Sequence, residues 1–161
     1  MIRSVKSNLS ELKYSYLLQK NGDSYKATFS ANLRRMADDV VKLGAHPIFV
    51  TSLSRRNYKN GKIDDILEPW AALTRQAASA INQPYIELLQ TSIKYLNAIK
   101  SAAAWKLNSS PSDRTHLNDD GGIVFSRMVA DLIYAKRIVS PSPFKADSKL
   151  SQQIRDGVPS F

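Results

Sequence analysis

The fold class is decided by the stretch His46-Pro47-Ile48-Phe49-Val50-Thr51-Ser52. It is apolar and β-branched, and polar residues do not alternate with apolar ones until its end, which is typical of a buried parallel strand. Parallel strands are joined by crossover connections that usually contain a helix. This stretch therefore predicts a strand of an α/β layer.

The flanking sequence alternates helix and strand signals. Apolar residues three and four positions apart predict helices, and Gly44 and Pro84 end two of them. The predicted elements are a helix at 25–43, a strand at 46–52, a loop at 53–62, a helix at 69–81, a strand at 84–88, and helices at 93–103 and 122–135. Two strands cannot cover the apolar faces of four helices, so the sequence predicts an incomplete layer.

The two ends of the chain have weaker patterns. Residues 1–24 form a poorly defined N-terminal segment, in which a short helical spacing is followed by a turn at 21–24. Residues 137–161 lose the helical periodicity and contain three prolines, so we expect a weakly ordered tail. The predicted domain organisation is thus an N-terminal segment at 1–24, a partial α/β domain at 25–136 and a tail at 137–161.

The composition excludes few functions. The 161 residues are 43% hydrophobic and 23% charged, which is ordinary for one globular domain. The chain has no cysteine and only two histidines, His46 and His116, so we expect neither a disulfide nor a metal site. It shows neither the apolar core of a secretory signal nor a membrane-spanning run. The net charge of +9 favours binding to polyanions. The lysines and arginines are spread along the chain, however, and no nucleic-acid motif accompanies them, so nucleic acid and membrane are not predicted partners.

The chemistry-bearing motif is Asp113-Arg114-Thr115-His116. A carboxylate three residues before a histidine on one loop can hold the imidazole in one tautomer and stabilise the imidazolium. The pair predicts a catalytic function, with His116 as general base and Asp113 as its orienter. The alternative for so short a motif is a surface Asp–His contact without catalytic function.

The wider sequence resembles one family of esterases. The run Asp113-Arg114-Thr115-His116-Leu117-Asn118-Asp119-Asp120-Gly121-Gly122, which leads into a helix, is similar to the last signature block of the SGNH (GDSL) hydrolases. The stretch Phe49-Val50-Thr51-Ser52-Leu53-Ser54-Arg55-Arg56, together with Trp70 and Pro84-Tyr85-Ile86-Glu87-Leu88, resembles the rhamnogalacturonan acetylesterases within that family. The resemblance covers residues 25–133.

This resemblance implies a secreted protein with a flavodoxin-like α/β/α domain that removes acetyl groups from the plant cell-wall polysaccharide rhamnogalacturonan. It implies a serine nucleophile, His116 as base, Asp113 as orienter, no cofactor and no metal. In the same interpretation, Arg55 and Arg56 are either solvated loop residues or contacts to galacturonate carboxylates.

The nucleophile block of the family is not recognisable in this sequence. Gly22-Asp23-Ser24 has the family's letters, yet no buried strand precedes it, and too few residues separate Ser24 from Asp113 for the intervening strands and helices. We therefore expect Ser24 to be a turn residue, and we expect neither Ser52 nor Ser54 to be the nucleophile, because neither lies in a sharp strand-to-helix turn.

Three interpretations follow from the sequence. The first is the C-terminal half of an SGNH acetylesterase from a truncated sequence, inactive for want of a serine and of oxyanion donors. The second is a non-catalytic remnant that binds acidic polysaccharide or another polyanion through its basic surface. The third is one half of a heterodimer whose other chain provides the serine.

Overall fold

The computed structural model describes residues 22–138 and 148–161, except for the side chains of residues 22–24 and 148. The predicted helix in the first 20 residues lies outside this part of the chain. The chain divides into two compact units, Met1–His46 and Pro47–Phe161. The domain bounds predicted from the sequence remain predictions.

The described part of the first unit is one helix, α1, over Gly22–Lys42. It includes residues 22–24, which were predicted to form a turn, so the helix begins three residues earlier than predicted. It ends at Lys42, just before the expected stop at Gly44, which has a positive φ of 76° and donates its N–H to the Val41 carbonyl at 2.9 Å. Glycine reaches this conformation without the steric cost that a Cβ brings.

The second unit combines helices with two small sheets, which agrees with the predicted α/β class. In chain order its elements are β1 (Phe49–Val50), β2 (Tyr58–Lys59), β3 (Lys62–Ile63), α2 (Glu68–Ala80), β4 (Tyr85–Ile86), α3 (Leu88–Ala104), a 3-10 turn (Trp105–Leu107), α4 (Asp119–Ala135) and α5 (Ser148–Asp156).

Strands β1 and β4 form the parallel pair that the sequence predicts. Phe49 pairs with Tyr85 and Val50 with Ile86, and α2 lies between the two strands in the sequence. The fully buried Thr51, directly after β1, links the carboxyl ends of β1 and β4 through hydrogen bonds. Its Oγ1 lies 3.0 Å from Glu87 Oε1 and accepts the Leu89 N–H at 2.9 Å.

A β-hairpin replaces part of the loop predicted at 53–62. Strands β2 and β3 pair antiparallel, and the turn consists of Asn60 and Gly61, whose φ angles are 53° and 76°. Positive φ at both central residues matches the twist of a two-residue hairpin and favours Asn-Gly. This dipeptide was the sequence signal for the hairpin.

The core of the second unit is built mainly from α3, α4 and the turn between them. Helix α4 begins at Asp119, three residues before the predicted start, because the Asn118 side chain caps it by accepting the Gly121 N–H at 2.9 Å. The buried residues of this core are Ile63, Leu88, Tyr95, Leu96, Ile99, Ala104, Leu107, Val124, Phe125, Met128 and Ile154.

Part of the C-terminal segment that was predicted to be a weakly ordered tail is helical. Residues 148–156 form helix α5 instead, and Ile154 is only 7% exposed in the core. Ser151 Oγ also donates to Asp131 Oδ1 of α4 at 3.0 Å. Burial of Ile154 and this hydrogen bond offset the entropy cost of ordering a short polar segment.

Candidate active site

The predicted pair Asp113 and His116 lies on a loop whose two ends are held together. Asn108 and Leu117 form an isolated antiparallel bridge, and the Ser109 N–H donates to the His116 carbonyl at 3.0 Å. The Asn118 N–H donates to the Leu107 carbonyl at 3.2 Å. The loop is thus closed between the 3-10 turn and the start of α4, which fixes the backbone on which the pair is carried.

The Asp113 carboxylate organises the loop from inside. Its Oδ1 accepts the backbone N–H groups of Thr115 at 2.7 Å and His116 at 2.9 Å, and its Oδ2 accepts the Ser109 hydroxyl at 2.9 Å. The His116 backbone N–H, then that of Thr115, then the imidazole hold the pKa of Asp113 well below its ordinary value of 3.8. The carboxylate is therefore ionised at neutral pH and acts only as an acceptor.

The His116 imidazole is bonded to that carboxylate and otherwise faces solvent. Its Nδ1 lies 2.7 Å from Asp113 Oδ2, and its side chain is 78% exposed. Because an ionised carboxylate has no proton to give, Nδ1 carries the hydrogen, and the lone pair of the neutral ring lies on Nε2. The structure thus brings the two predicted residues together in the geometry of a base and its orienter. Their catalytic function remains a prediction.

Arg56 also contacts this loop, a contact that the sequence did not reveal. Its side chain is fully buried, and Nη2 donates to the His116 carbonyl at 2.6 Å. Its Nε donates to Asn108 Oδ1. Solvated or substrate-binding arginines were expected at 55 and 56, and for Arg56 both expectations are wrong, because no part of the side chain reaches the surface. Only tertiary structure brings its partners near, since Asn108 and His116 are 52 and 60 residues away in the sequence.

An aromatic cluster flanks the loop beside Arg56. The guanidinium of Arg114 lies 4.4 Å from the ring centroid of Trp105, a cation–π contact, and Tyr58 meets the same ring edge-on at 6.2 Å. The Trp105 indole N–H donates to the Arg56 carbonyl at 3.1 Å, and burial raises the pKa of Tyr58 to about 12. The cluster attaches Arg114, within the motif, to the 3-10 turn.

The serines considered from the sequence lie in different settings. Ser24 lies in the first turn of α1, with its side chain outside the described part. Ser52 is exposed, whereas Ser54 is buried with its Oγ donating to the Arg55 carbonyl at 3.0 Å. Within residues 25–138 and 149–161, no serine or threonine hydroxyl is hydrogen-bonded to the His116 imidazole. The structure therefore pairs the base with its orienter and leaves the choice of nucleophile open.

A second polar cluster lies at the carboxyl ends of the parallel strands. Arg75 Nη1 contacts Glu87 Oε2 at 3.0 Å, and Nη2 is paired with Glu68. A hydrogen bond from Gln90, followed by one from Arg75, lowers the pKa of Glu68 against the opposing effect of burial. These contacts join α2 to the end of β4.

The described residues contain neither a candidate metal site nor a candidate membrane-spanning helix. Across 22–138 and 148–161, no three or more histidine, cysteine, aspartate or glutamate side chains are grouped so that they could hold a metal ion. In the same ranges, no helix combines the length and the apolar character needed to cross a membrane.

Comparison with known proteins gives one informative likeness. No family model and no solved structure matches the chain. Among curated proteins, the chain is similar to the rhamnogalacturonan acetylesterase RhgT of Bacillus subtilis (strain 168), with 30% identity over 118 residues. The match covers 65% of this chain and 51% of that protein, so the chain spans about half the length of its relative. This likeness indicates a relation to that acetylesterase.

Proposed function

We propose that this chain carries the general base and its orienter of an SGNH-type serine esterase that deacetylates rhamnogalacturonan. The observation that carries the proposal is the 2.7 Å contact between His116 Nδ1 and Asp113 Oδ2 on an exposed imidazole. The relation to an acetylesterase supports the reaction class. The parallel pair β1 and β4, joined through α2, is compatible with part of a flavodoxin-like α/β/α layer.

The proposed chemistry assigns one step to each member of the pair. Nε2 of His116 removes the proton from a serine hydroxyl as the serine oxygen attacks the acetyl carbonyl, and the imidazolium then returns that proton to the departing sugar oxygen. The same nitrogen then deprotonates a water molecule, whose oxygen attacks the acetyl-serine carbonyl, and the imidazolium returns this proton to the serine oxygen as its bond to the acetyl group breaks and acetate leaves. Asp113 accepts the Nδ1–H throughout, so its negative charge stabilises each imidazolium.

The proposed substrate is an acidic polysaccharide. A net charge of +9 attracts galacturonate-rich chains, because cationic surfaces concentrate polyanions. Such a polysaccharide belongs to the cell wall, and the proposed location is therefore outside the cell.

We further propose that the isolated chain is inactive. In this proposal no serine of the chain is activated by His116, and without an activated alcohol the base has no nucleophile to generate. Wild-type, His116→Ala and Ser24→Ala proteins should hydrolyse p-nitrophenyl acetate at the same low rate, and a fluorophosphonate probe should label no serine. His46→Ala is the matched control, because it removes the other histidine. Turnover lost in both His116→Ala and Ser24→Ala, with Ser24 labelled, would refute this proposal.

A chimera tests the base directly. In this chimera, the part of this chain that is similar to the Bacillus protein replaces the corresponding segment of that protein. A folded chimera should hydrolyse p-nitrophenyl acetate, and His116→Ala should reduce its kcat by about 10⁴ or more. His46→Ala should leave kcat unchanged. A folded, active chimera with full activity after His116→Ala would refute the assignment of His116 as base.

A further inference from the structure

Arg56 is a charged side chain at a position where stability alone would favour an apolar one. It is fully buried, and its Nη1 has no hydrogen-bond partner among the described residues. Burial lowers the pKa of Arg56, and the negative charge of Asp113 opposes that shift. A buried guanidinium loses its hydration, and replacing such a group by a well-packed apolar side chain is often neutral or stabilising. The contacts that the guanidinium makes therefore explain its position better than a contribution to stability does.

Arg56 contacts the motif loop, residues 108–118, at three places and the preceding 3-10 turn at a fourth. Its backbone N–H donates to the Arg114 carbonyl at 2.9 Å, and its carbonyl accepts the Trp105 indole N–H. Its side chain binds Asn108 and the His116 carbonyl. One residue of the loop after β1 thus holds the start, middle and end of the segment that carries the pair.

The His116 side chain depends on this support because it has little packing of its own. With 78% of the side chain exposed, few neighbours restrict its rotamer. Its backbone is held on both sides instead: Asp113 Oδ1 accepts the N–H, while Arg56 Nη2 and the Ser109 N–H donate to the carbonyl. Among the residues whose side chains are described, the only hydrogen bond of the imidazole is the one between Nδ1 and Asp113 Oδ2.

We propose that Arg56 is a positioning residue, which fixes the His116 backbone so that Nδ1 stays on Asp113 and Nε2 faces outward. This inference rests on the proposed function, in which His116 is the base. Arg56 does not touch substrate in this arrangement, because its side chain is buried. It acts through the loop.

The test compares Arg56→Met with Arg75→Met in the full-length chain labelled with ¹⁵N. Arg75 is a matched control, because it is a partly buried, hydrogen-bonded arginine whose partners lie at the polar cluster of α2 and β4. Arg56→Met should lower the hydrogen-exchange protection of the Ser109 and His116 amides by about 10- to 100-fold, as expected for loss of a hydrogen bond to a charged group. The ring ¹⁵N shifts of His116 should show a mixture of tautomers in place of Nδ1–H alone.

Conservative variants complete the test. Arg56→Lys keeps the charge but lacks the planar guanidinium that reaches Asn108 and His116 together. The hydrogen-exchange protection of the Ser109 and His116 amides in this variant should therefore lie between the values of wild type and Arg56→Met. If Arg56→Met fails to fold, Arg56→Gln takes its place with the same measurements. A folded variant whose His116 signals and amide protection equal those of Arg75→Met would overturn the proposal. These signals need no turnover, so an inactive esterase chimera would refute the proposed function without deciding the effect of Arg56 on His116.

Discussion

Gly121 and Gly122 are neighbours in the first turn of α4, and replacing each with alanine makes a matched pair. A Cβ on Gly121 would lie 2.7 Å from the Leu107 carbonyl oxygen and 2.9 Å from Leu117 Cδ2, whereas a Cβ on Gly122 meets nothing within 4 Å. The closest atom to Gly121 belongs to the backbone, so rotating a side chain cannot remove the clash. The start of α4 would have to move away from the 3-10 turn.

The two substitutions should change stability in opposite directions. Overpacking of this kind costs about 1–3 kcal/mol, so Gly121→Ala should lower the free energy of unfolding by about 2 kcal/mol. Gly122→Ala should raise it by about 0.5–1 kcal/mol, because alanine loses less backbone entropy than glycine in a helix. The expected gap between the variants is thus about 2.5–3 kcal/mol.

Urea denaturation followed by circular dichroism measures this difference in the free energy of unfolding. The comparison is valid when the unfolding free energy of both variants falls with urea concentration at the wild-type slope. Gly121→Ala should also perturb the motif loop, because the Leu107 carbonyl accepts the Asn118 N–H that closes it. The His116 amide should therefore shift in NMR spectra of Gly121→Ala and stay in place in Gly122→Ala. Equal stability of the two variants would refute the close approach of α4 to the 3-10 turn.

Two further predictions concern backbone strain and pH. Lys100 interrupts α3 with φ 66° and ψ 167°, a region that only glycine populates readily. In urea denaturation, Lys100→Gly should therefore stabilise the protein by about 1 kcal/mol, whereas Lys94→Gly in the same helix should destabilise it by about 1 kcal/mol. A loss of stability in Lys100→Gly would contradict the backbone strain at this residue. Because folding lowers the pKa of Asp113, its stabilising contribution is present above the ordinary value of 3.8 and is lost as the pH falls further. Urea midpoints measured on both sides of that pH should therefore drop more steeply in wild type than in Asp113→Asn, and identical profiles would contradict the hydrogen bonding of this carboxylate.

Elements with strong local signals were predictable from the sequence. Both parallel strands lie inside the stretches predicted for them, and α1 ends two residues before Gly44, the stop that its pattern indicated. The strands are shorter than predicted, with two residues each. Apolar sequence marks where a strand can lie, whereas its length depends on the neighbour that provides the ladder of hydrogen bonds.

Other elements were missed although their signals were present. Asn60-Gly61 is a strong signal for a two-residue hairpin turn, but the residues around it were predicted to form a loop. Leu150 and Ile154, four residues apart, carry the helical spacing of α5, but nine residues are too few for a stable isolated helix. That helix depends on packing against α4, and the local sequence pattern does not predict this tertiary contact.

The two halves of the candidate site differ in how far the sequence could predict them. The contact between Asp113 and His116 is local, because a carboxylate that accepts the N–H groups two and three residues later folds its own loop and brings the imidazole to its second oxygen. The orientation of that loop on the protein is not local. It depends on Arg56, whose burial becomes favourable only when distant residues provide acceptors for its charge. A short motif can therefore identify a base and its orienter from the sequence, whereas the residue that positions them can be identified only from the folded structure.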